Sequence, residues 1–342
     1  MSNYPFIQTI RYMGNKGKLL DLIIPEIERI TEPGDIVCDI MAGTNSVSYA
    51  LKNRNRIITN DIQYYSYIIA KFMLGTFSIP TKEKMHLDLD QNIIYNKEHL
   101  KYDFFVKNYT DTYFSGYQCL DIDSFRYAIE QIEDTQLKCY YLTLLMSAMC
   151  KAQSTTGHFA QYMDKEHKRI IPLRQLSIYD LFFDKANDFD DFVTEGLNNL
   201  NYNLDYKILF KENIMSEVKC FYLDSPYTTD QYSRFYHVLE TICKYDNPEL
   251  EHKAKYRTDR IQSNFCYKKS VANEFEYIIN FCKNKNAKLV ISYSNHGIIS
   301  VEELTEIAKK YYNNVTVKSV DFNHSSQGNG TIEIKEVLLI LE

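Results

Sequence analysis

The sequence predicts an α/β protein built on a doubly wound parallel sheet, with a mainly helical insertion in the middle of the chain. In the first 79 residues, short apolar runs that end in polar or glycine-containing turns alternate with helical patterns, which is typical of a parallel sheet. Residues 80–205 show helical, aromatic and polar segments without a clear strand, and strand patterns resume afterwards. We therefore expect residues 1–79 and 206–342 to form one domain around the sheet and residues 80–205 to form the insertion.

The individual elements are predicted from apolar spacing. Apolar residues at helical intervals indicate an amphipathic first helix, in which Pro25 is expected to cause a kink. Short apolar runs bounded by turn residues indicate strands, and two alternating segments late in the chain indicate a hairpin. In chain order we predict a helix at 16–31, a strand at 36–40, a helix at 45–52, a strand at 57–59, a helix ending at Leu74, strands at 221–223 and 289–293, and hairpin strands at 315–320 and 332–341 around a turn at 325–330.

Composition narrows the class of protein. The chain has 45% hydrophobic and 25% charged residues, as globular proteins do, and no apolar run long enough to cross a membrane. It has no secretion signal, so we expect a cytoplasmic protein without membrane association. The eight cysteines are scattered and form no Cys-x-x-Cys pair, which favours free buried thiols and no metal site. The net charge of −6 argues against a uniformly basic surface but allows a local basic cleft.

Two polar segments follow the first two predicted strands. Residues 39–47 contain Gly43, which lets the backbone approach a ligand, and Asp39, which can reach a cationic amino group. Asp61 follows the next strand, where a carboxylate can accept hydrogen bonds from both hydroxyls of a ribose. Together they indicate a nucleoside-bearing cofactor. The alternatives are a generic dinucleotide-binding loop or an ordinary structural turn at 39–47, and a helix cap at Asp61.

A third segment, Asp224-Ser225-Pro226-Tyr227, follows the predicted strand at 221–223. The amino nitrogen of a base is a poor nucleophile because its lone pair is delocalised into the ring, and acceptors that draw its protons away make it reactive. Asp224 and the Ser225 carbonyl can supply such acceptors, Pro226 would stiffen the turn, and Tyr227 can stack on a flipped base. The alternative is a common turn without chemistry.

In order along the chain, these motifs resemble those of the DNA adenine methylase family in its alpha arrangement, which includes enzymes of restriction-modification systems. The matching segments are 11–16, 39–47, 60–61, 224–227, 232–237, 263–266 and 292–295. The resemblance implies a Rossmann-like methyltransferase sheet, S-adenosylmethionine as cofactor, and methylation of adenine N6 in double-stranded DNA after base flipping. It also implies that the helical insertion recognises the target sequence.

The resemblance also implies roles for individual residues. Lys16 would bind the cofactor carboxylate, Gly43 and its neighbours the methionine part, Asp61 the ribose, and Asp224 with Tyr227 the target adenine. The catalytic residues would be Asp224, Ser225, Pro226 and Tyr227. The cofactor-binding residues would be Tyr12, Lys16, Asp39, Met41, Ala42, Gly43, Thr44, Asn45, Ser46, Asp61, Ile62 and Asn213.

Two residues depart from the pattern of this family. Asn45 stands where the family usually has a second glycine, and Asn is the commonest residue other than glycine at positive φ, so we expect the turn to be kept. Ser225 stands where the family usually has proline. Because the acceptor at that position is a backbone carbonyl, we expect the chemistry to be kept as well.

Basic and polar residues interleaved with aromatic residues in the insertion, and a second basic cluster at 253–260, suit a DNA groove. A solvated surface is the alternative. The expected DNA-binding residues are Lys151, Gln153, His158, Gln161, Lys165, Lys168, Arg169, Arg174, Arg234, Lys255 and Arg257.

The sequence leaves other activities and partners open. A methyltransferase acting on RNA or on cytosine N4 has the same chemistry, and a catalytically inactive DNA-binding protein could keep the same fold. The expected partners are double-stranded DNA and a restriction endonuclease that acts separately, and the expected oligomeric state is a monomer.

Overall fold

The computed structural model describes residues 3–189, 198–321 and 335–342. In these ranges the strands are β1 (Ile36–Asp39), β2 (Arg56–Asn60), β3 (Leu200–Tyr202), β4 (Cys220–Leu223), β5 (Leu250–Glu251), β6 (Tyr256–Arg257), β7 (Lys288–Ser294), β8 (Val315–Asp321) and β9 (Lys335–Leu341). The α-helices are α1 (Leu20–Ile30), α2 (Ser46–Leu51), α3 (Tyr64–Leu74), α4 (Lys82–His99), α5 (Phe104–Tyr109), α6 (Gly116–Glu130), α7 (Thr135–Ala152), α8 (Ile171–Arg174), α9 (Ile178–Ala186), α10 (Tyr206–Leu209), α11 (Tyr232–Phe235), α12 (His237–Lys244), α13 (Val271–Asn284) and α14 (Val301–Lys309).

The central sheet has seven strands in the order β3-β2-β1-β4-β7-β9-β8. All pairings from β3 to β7 are parallel, and β9 runs antiparallel to both of its neighbours. The chain proceeds outward from β1 to β2 and β3 and then returns to β4 on the other side of β1. This reversal creates a crevice at the carboxyl ends of β1 and β4, where ligands bind in open α/β sheets. The prediction of a doubly wound, Rossmann-like α/β sheet is confirmed.

Alternate residues of the strands pack into two cores on opposite faces of the sheet. In β4, Cys220 and Tyr222 belong to the core that includes α1 and α3, whereas Phe221 and Leu223 belong to the core that includes α13 and α14. The four residues of β4 are all buried, as expected for a parallel strand covered by helices on both faces. Because successive side chains of a strand point to opposite faces of the sheet, the position of the last residue in each strand determines on which face of the sheet its side chain lies at the crevice.

Most of the predicted elements are confirmed. A 3-10 turn at Lys16–Leu19 leads into α1, which contains Pro25, and β8 and β9 form the predicted antiparallel pair. The predicted turn at 325–330, and the first residues of the predicted strand at 332–341, lie outside the described residues. Within the described parts of the chain, no helix is long and apolar enough to cross a membrane. All eight cysteines are buried and free.

The insertion is not separated from the rest of the protein by a break in packing. Helices α4, α6, α7 and α9 contribute to the same core as α1 and α3. The strand β3 lies inside the range predicted for the insertion, yet it forms the edge of the sheet beside β2. The sequence did not predict this strand. The division into residues 1–79 with 206–342 and residues 80–205 remains a prediction.

Candidate active site

A cleft lies at the carboxyl ends of β1, β2, β3 and β4. Ten of the twelve predicted cofactor residues line the cleft: Tyr12, Lys16, Asp39, Met41, Ala42, Gly43, Thr44, Ser46, Asp61 and Ile62. Asp224, Ser225 and Pro226 line it as well.

Asp39 is the last residue of β1 and is almost fully buried. Its Oδ2 accepts a hydrogen bond of 2.7 Å from the hydroxyl of Ser48, while its Oδ1 has no hydrogen-bond partner among the described residues. Burial raises the pKa of Asp39 to about 8, and the nearby carboxylates of Asp224 and Asp61 contribute to the rise. A buried oxygen without a partner costs free energy, so this acceptor suits a cationic donor from a ligand.

The loop after β1 has the left-handed backbone that the sequence requires. Gly43 has φ of 52° and Asn45 has φ of 60°, which confirms that Asn45 preserves the turn. A Cβ atom on Gly43 would lie 3.3 Å from the ring of Tyr12, closer than most Cβ contacts, so glycine avoids a tight contact at this position. Asn45 lies behind the loop, fully buried, and its amide donates to the carbonyls of Gly43 and Ser66.

Asp61 follows β2 and is partly exposed at the cleft. Its Oδ2 accepts from the backbone N–H of Gly43 at 2.9 Å, and its Oδ1 accepts from that of Gln63 at 2.8 Å. Burial raises the pKa of Asp61 to about 6, although these two hydrogen bonds act in the opposite direction. The carboxylate therefore orders the turn before α3, but it does not cap that helix, whose N-cap residue is Gln63. Each oxygen keeps a lone pair for a hydroxyl group.

Asp224 follows β4 and forms an ion pair with Lys16, with 3.0 Å between Oδ1 and Nζ. Burial raises the pKa of Asp224, and Lys16 opposes that rise. Burial alone would lower the pKa of Lys16, but Asp224, Tyr227 and Glu336 together raise it above its ordinary value. In this structure the ammonium group predicted to bind the cofactor carboxylate is thus paired with the predicted catalytic carboxylate.

Two of the other predicted residues do not line the cleft. Tyr227 packs edge-on against Tyr293, and its ring centre lies 5.5 Å from Nζ of Lys16. Asn213 is exposed in a 3-10 turn before β4 and lies apart from the other predicted cofactor residues.

The cleft also contains residues that the sequence analysis missed. Leu204, Asp205 and Tyr206 follow β3 and line the cleft. Glu274 lines it too and accepts from the hydroxyl of Tyr206. Recognition of β3 would have found the first three, because the carboxyl ends of neighbouring parallel strands meet at one edge of a sheet.

With this geometry established, comparison with known proteins identifies the family. Residues 12–307 match the family described as D12 class N6 adenine-specific DNA methyltransferase. The chain belongs to this family.

Three relatives illustrate the range of the similarity. The chain is 29% identical to modification methylase LlaI of Lactococcus lactis subsp. lactis, over 95% of this chain and 53% of the relative. It is 28% identical to type II methyltransferase M.FokI of Planomicrobium okeanokoites, over 88% of this chain and 47% of the relative. It is 27% identical to type II methyltransferase M.NlaIII of Neisseria lactamica, over 96% and 99%. The chain therefore spans about half the length of the first two relatives and nearly all of the third.

Two DNA contacts predicted for this D12-class chain are corrected by the structure. Arg257 is buried, and its guanidinium donates to both oxygens of Asp246 and both oxygens of Asp259 at 2.7 to 2.9 Å. Gln153 is buried as well: its amide donates to the carbonyl of Cys150 and accepts from the hydroxyl of Thr155. Both side chains are committed to the protein interior, so neither is positioned to contact DNA.

The other predicted DNA-binding residues are at least partly exposed. Lys165 and Arg174 form ion pairs with Asp111 at 3.0 and 2.5 Å, and Arg234 forms one with Asp230 at 3.3 Å. The exposed side chains are those of Lys151, Gln161, Lys165, Lys168, Arg169 and Arg234, whereas His158, Arg174 and Lys255 are partly exposed.

A second cavity adjoins the active-site cleft of this D12-class chain. Met13 lines both spaces, and His158, Gln161, Arg234 and Phe235 line the second one. The ring of His158 packs on that of Phe235, with 4.6 Å between the ring centres, and the guanidinium of Arg234 lies 5.5 Å from the same ring. The cavity thus combines an aromatic surface with polar groups that can donate or accept hydrogen bonds.

Proposed function

We propose that this D12-class chain transfers a methyl group from S-adenosylmethionine to N6 of adenine in double-stranded DNA. The observation that carries the proposal is that Asp224 opens onto the same cleft as Asp39 and Asp61. One cleft would thus hold acceptors for a target amino group beside acceptors for a nucleoside-bearing cofactor.

The residues of the cleft fit the cofactor. Oδ1 of Asp39, buried and without a partner in the described chain, would accept from the cofactor amino group. Asp61 would accept from the ribose hydroxyls, and Gly43 leaves room for the methionine part beside Tyr12. Lys16 has N–H donors beyond its one hydrogen bond to Asp224, and these would reach the cofactor carboxylate. When bound, S-adenosylmethionine supplies an electrophilic methyl group.

The chain itself makes the target nitrogen reactive. The carboxylate of Asp224 and the carbonyl of Ser225 would each accept a hydrogen bond from one N–H of the amino group, so that the nitrogen lone pair is available for attack. The carboxylate would then take up the one proton that the methylated nitrogen loses. The burial that raises the pKa of Asp224 also makes it a stronger hydrogen-bond acceptor than a carboxylate in water. Tyr227 would stack on the flipped base, and Pro226 would stiffen the turn. Proximity and fixed acceptors then supply most of the rate enhancement.

Family membership favours adenine in DNA over cytosine or RNA, since the matching family is described as N6 adenine-specific. Lys151, Lys168 and Arg169 are exposed and would contact phosphates together with Arg234 and Lys255. His158 and Gln161 would contact base edges at the second cavity. We also propose that the protein acts in the cytoplasm as a monomer, beside a separate restriction endonuclease.

The test is methyl transfer from cofactor labelled in its methyl group to DNA of varied sequence and to RNA, followed by nucleoside analysis. We expect label in N6-methyladenine from DNA alone. Asp224→Ala should abolish transfer and keep cofactor affinity by calorimetry nearly intact, because Asp224 acts on the base. Asp184→Asn, a change to an exposed carboxylate on α9, is the matched control and should keep full activity.

Other outcomes contradict the proposal in distinct ways. Label in N4-methylcytosine or in RNA would show a different substrate. DNA binding without any methylated nucleoside would show a catalytically inactive DNA-binding protein. Loss of cofactor affinity together with activity in Asp224→Ala would refute the role given to Asp224.

A further inference from the structure

Glu336 is a buried carboxylate at the edge of the active site, and the mechanism above does not use it. It is near the beginning of β9, which is antiparallel, so this end of β9 lies beside the carboxyl end of β7. Its pairing partner there is Ser294, the last residue of β7. The reversed direction of β9 therefore brings residue 336 to the edge of the sheet where the cleft is located.

Strand alternation places Glu336 on the same face of the sheet as the two carboxylates of the cleft. Leu338 and Ile340 of β9 belong to the core that contains α1, and Glu336 shares their parity. By the same rule, Asp39 shares the parity of Val37 in β1, and Asp224 that of Tyr222 in β4. These three carboxylates thus lie on one face of the sheet, and two of them, Asp224 and Glu336, lie beside Lys16.

Lys16 is the cation that Glu336 shares with Asp224. Its Nζ lies 3.0 Å from Oδ1 of Asp224 and 4.0 Å from Oε2 of Glu336. Both Lys16 and Glu336 are 5% exposed or less. In the described parts of the chain, Oε2 of Glu336 has no hydrogen-bond partner, so its interaction with Lys16 is purely electrostatic.

Burial of this carboxylate lowers the stability of the folded protein. A buried charge without hydrogen bonds is destabilising, and an apolar residue would continue the run of Val337 to Leu341 in the strand. Lys16 would still have Asp224 as a partner if Glu336 were neutral. Residues that cost stability in this way are typical of functional sites.

Two carboxylates that share one ammonium group affect each other. The positive charge of Lys16 alone would stabilise the ionised form of Asp224 and weaken that carboxylate as a hydrogen-bond acceptor. A second carboxylate near the same ammonium group opposes this effect. We propose that Glu336 is a positioning residue for methyl transfer, which acts through Lys16 to keep Asp224 in place and strong as an acceptor for the target amino group. This inference rests on the proposed function of Asp224.

Burial raises the pKa of Glu336, Lys16 lowers it, and Asp224 raises it. The pKa of Asp224 is raised by burial and lowered by Lys16. The titratable groups whose charges reach Asp224 or Glu336 come from several elements: Lys16 before α1, Asp39 at the end of β1, Tyr222 in β4, Tyr227 after β4, and Tyr232 in α11.

The test compares Glu336→Gln, which keeps the shape and removes the charge, with Glu336→Asp, which keeps the charge. Glu342→Gln is the matched control, because Glu342 directly follows β9 and pairs with Arg29 outside the cleft. Four quantities are measured: the melting temperature, cofactor affinity by calorimetry, the methylation rate as a function of pH, and the carboxyl 13C titration of Asp224 in the protein alone. The Asp224 signal is assigned by its absence in Asp224→Asn.

For Glu336→Gln we expect an unchanged or higher melting temperature and unchanged cofactor affinity. The pKa of Asp224 should fall, since Lys16 then acts on it without opposition. The methylation rate should fall about tenfold or more, and its acidic limb should move to lower pH. Glu336→Asp should recover part of the rate, and Glu342→Gln should match the unaltered chain.

A melting temperature that falls in step with the rate, with no change in the titration of Asp224, would show a structural role and overturn the inference. The inference would also be overturned if the chain is active and Glu336→Gln leaves the titration of Asp224 unchanged. A chain that transfers no methyl group at all would instead remove the proposed function and the catalytic part of this inference. The titration of Asp224 needs no activity, so it still decides whether Glu336 controls that carboxylate.

Discussion

Replacing Asp39 by asparagine tests the central electrostatic feature of the cleft. This feature is a buried carboxyl group that is mostly protonated below about pH 8 in the absence of ligand. The substitution keeps the acceptor for Ser48 and removes the ionisable group. Burial raises the pKa of Asp39 in the folded protein from 3.8 to about 8. A raised pKa means that the contribution of this group to stability is complete below about pH 4 and is lost as the pH rises towards 8.

The magnitude follows from linkage. Between these two pKa values the unfolded chain has released the proton and the folded chain has kept it. Each pH unit therefore costs the unaltered protein about 1.4 kcal/mol relative to Asp39→Asn. From pH 5 to pH 7 the variant should gain about 3 kcal/mol. The new amide would place an N–H without a partner in the cleft, which costs about 1–3 kcal/mol, but this cost is the same at both pH values.

Urea unfolding followed by circular dichroism at pH 5 and pH 7 measures this change, with Asp184→Asn as the exposed control. A difference in unfolding free energy between variant and unaltered protein that is the same at both pH values would refute the reasoning. It would mean that Asp39 is ionised in the folded protein and that its Oδ1 has a partner.

The same carboxyl group should respond to the cofactor. If a cofactor ammonium binds Oδ1, Asp39 ionises on binding and releases about one proton at pH 7. Calorimetry in two buffers of different ionisation enthalpy measures that release. Asp39→Asn should bind the cofactor more weakly and release no proton from this site. Equal proton release by both proteins would place the ammonium group elsewhere.

Three further predictions concern residues outside this carboxyl group. Arg257→Ala should lower the free energy of unfolding by about 2 kcal/mol. This loss is smaller than for a fully buried ion pair because both carboxylate partners are about half exposed. The salt dependence of DNA binding should not change. Lys168→Ala with Arg169→Ala should weaken binding to every DNA sequence and flatten the salt dependence by a slope of roughly 0.9 per lost phosphate contact, whereas an unchanged slope would make this segment a solvated surface. Asn45→Gly and Asn45→Ala both remove the buried amide, so the difference between their unfolding free energies measures the cost of the positive φ at this position. The alanine variant should be less stable than the glycine variant by about 1–2 kcal/mol. Equal stability would show that the loop relaxes.

Local patterns in the sequence were sufficient to predict the central strands and the loops that follow them. The strand β1 is a continuous apolar run that ends in Asp39, and β4 ends before Asp224 in the same way. Such runs are recognisable because parallel strands covered on both faces are apolar throughout. Both the loop after β1 and the turn after β4 therefore could be located from the sequence.

The features that were missed depend on pairing between distant residues. The strand β3 has only three half-buried residues, Leu200-Asn201-Tyr202, and only its pairing with β2 makes it a strand. Arg257 resembles an exposed DNA contact until Asp246 and Asp259 enclose it. Glu336 directly precedes the apolar run of β9, and nothing in its local sequence indicates that it lies near Lys16.

The sheet order has a consequence for how the protein is made. During synthesis β1 and β2 emerge early, but β4, the other neighbour of β1, emerges only after helices α4–α9. Throughout that interval the nascent chain exposes an unpaired strand edge at β1, which is a site for mispairing with other chains. Glu336 emerges after every other residue of the site. We therefore expect ribosome-bound chains that have not yet reached β4 to depend on chaperones, and the helical segment to gain its native packing before the cleft is complete.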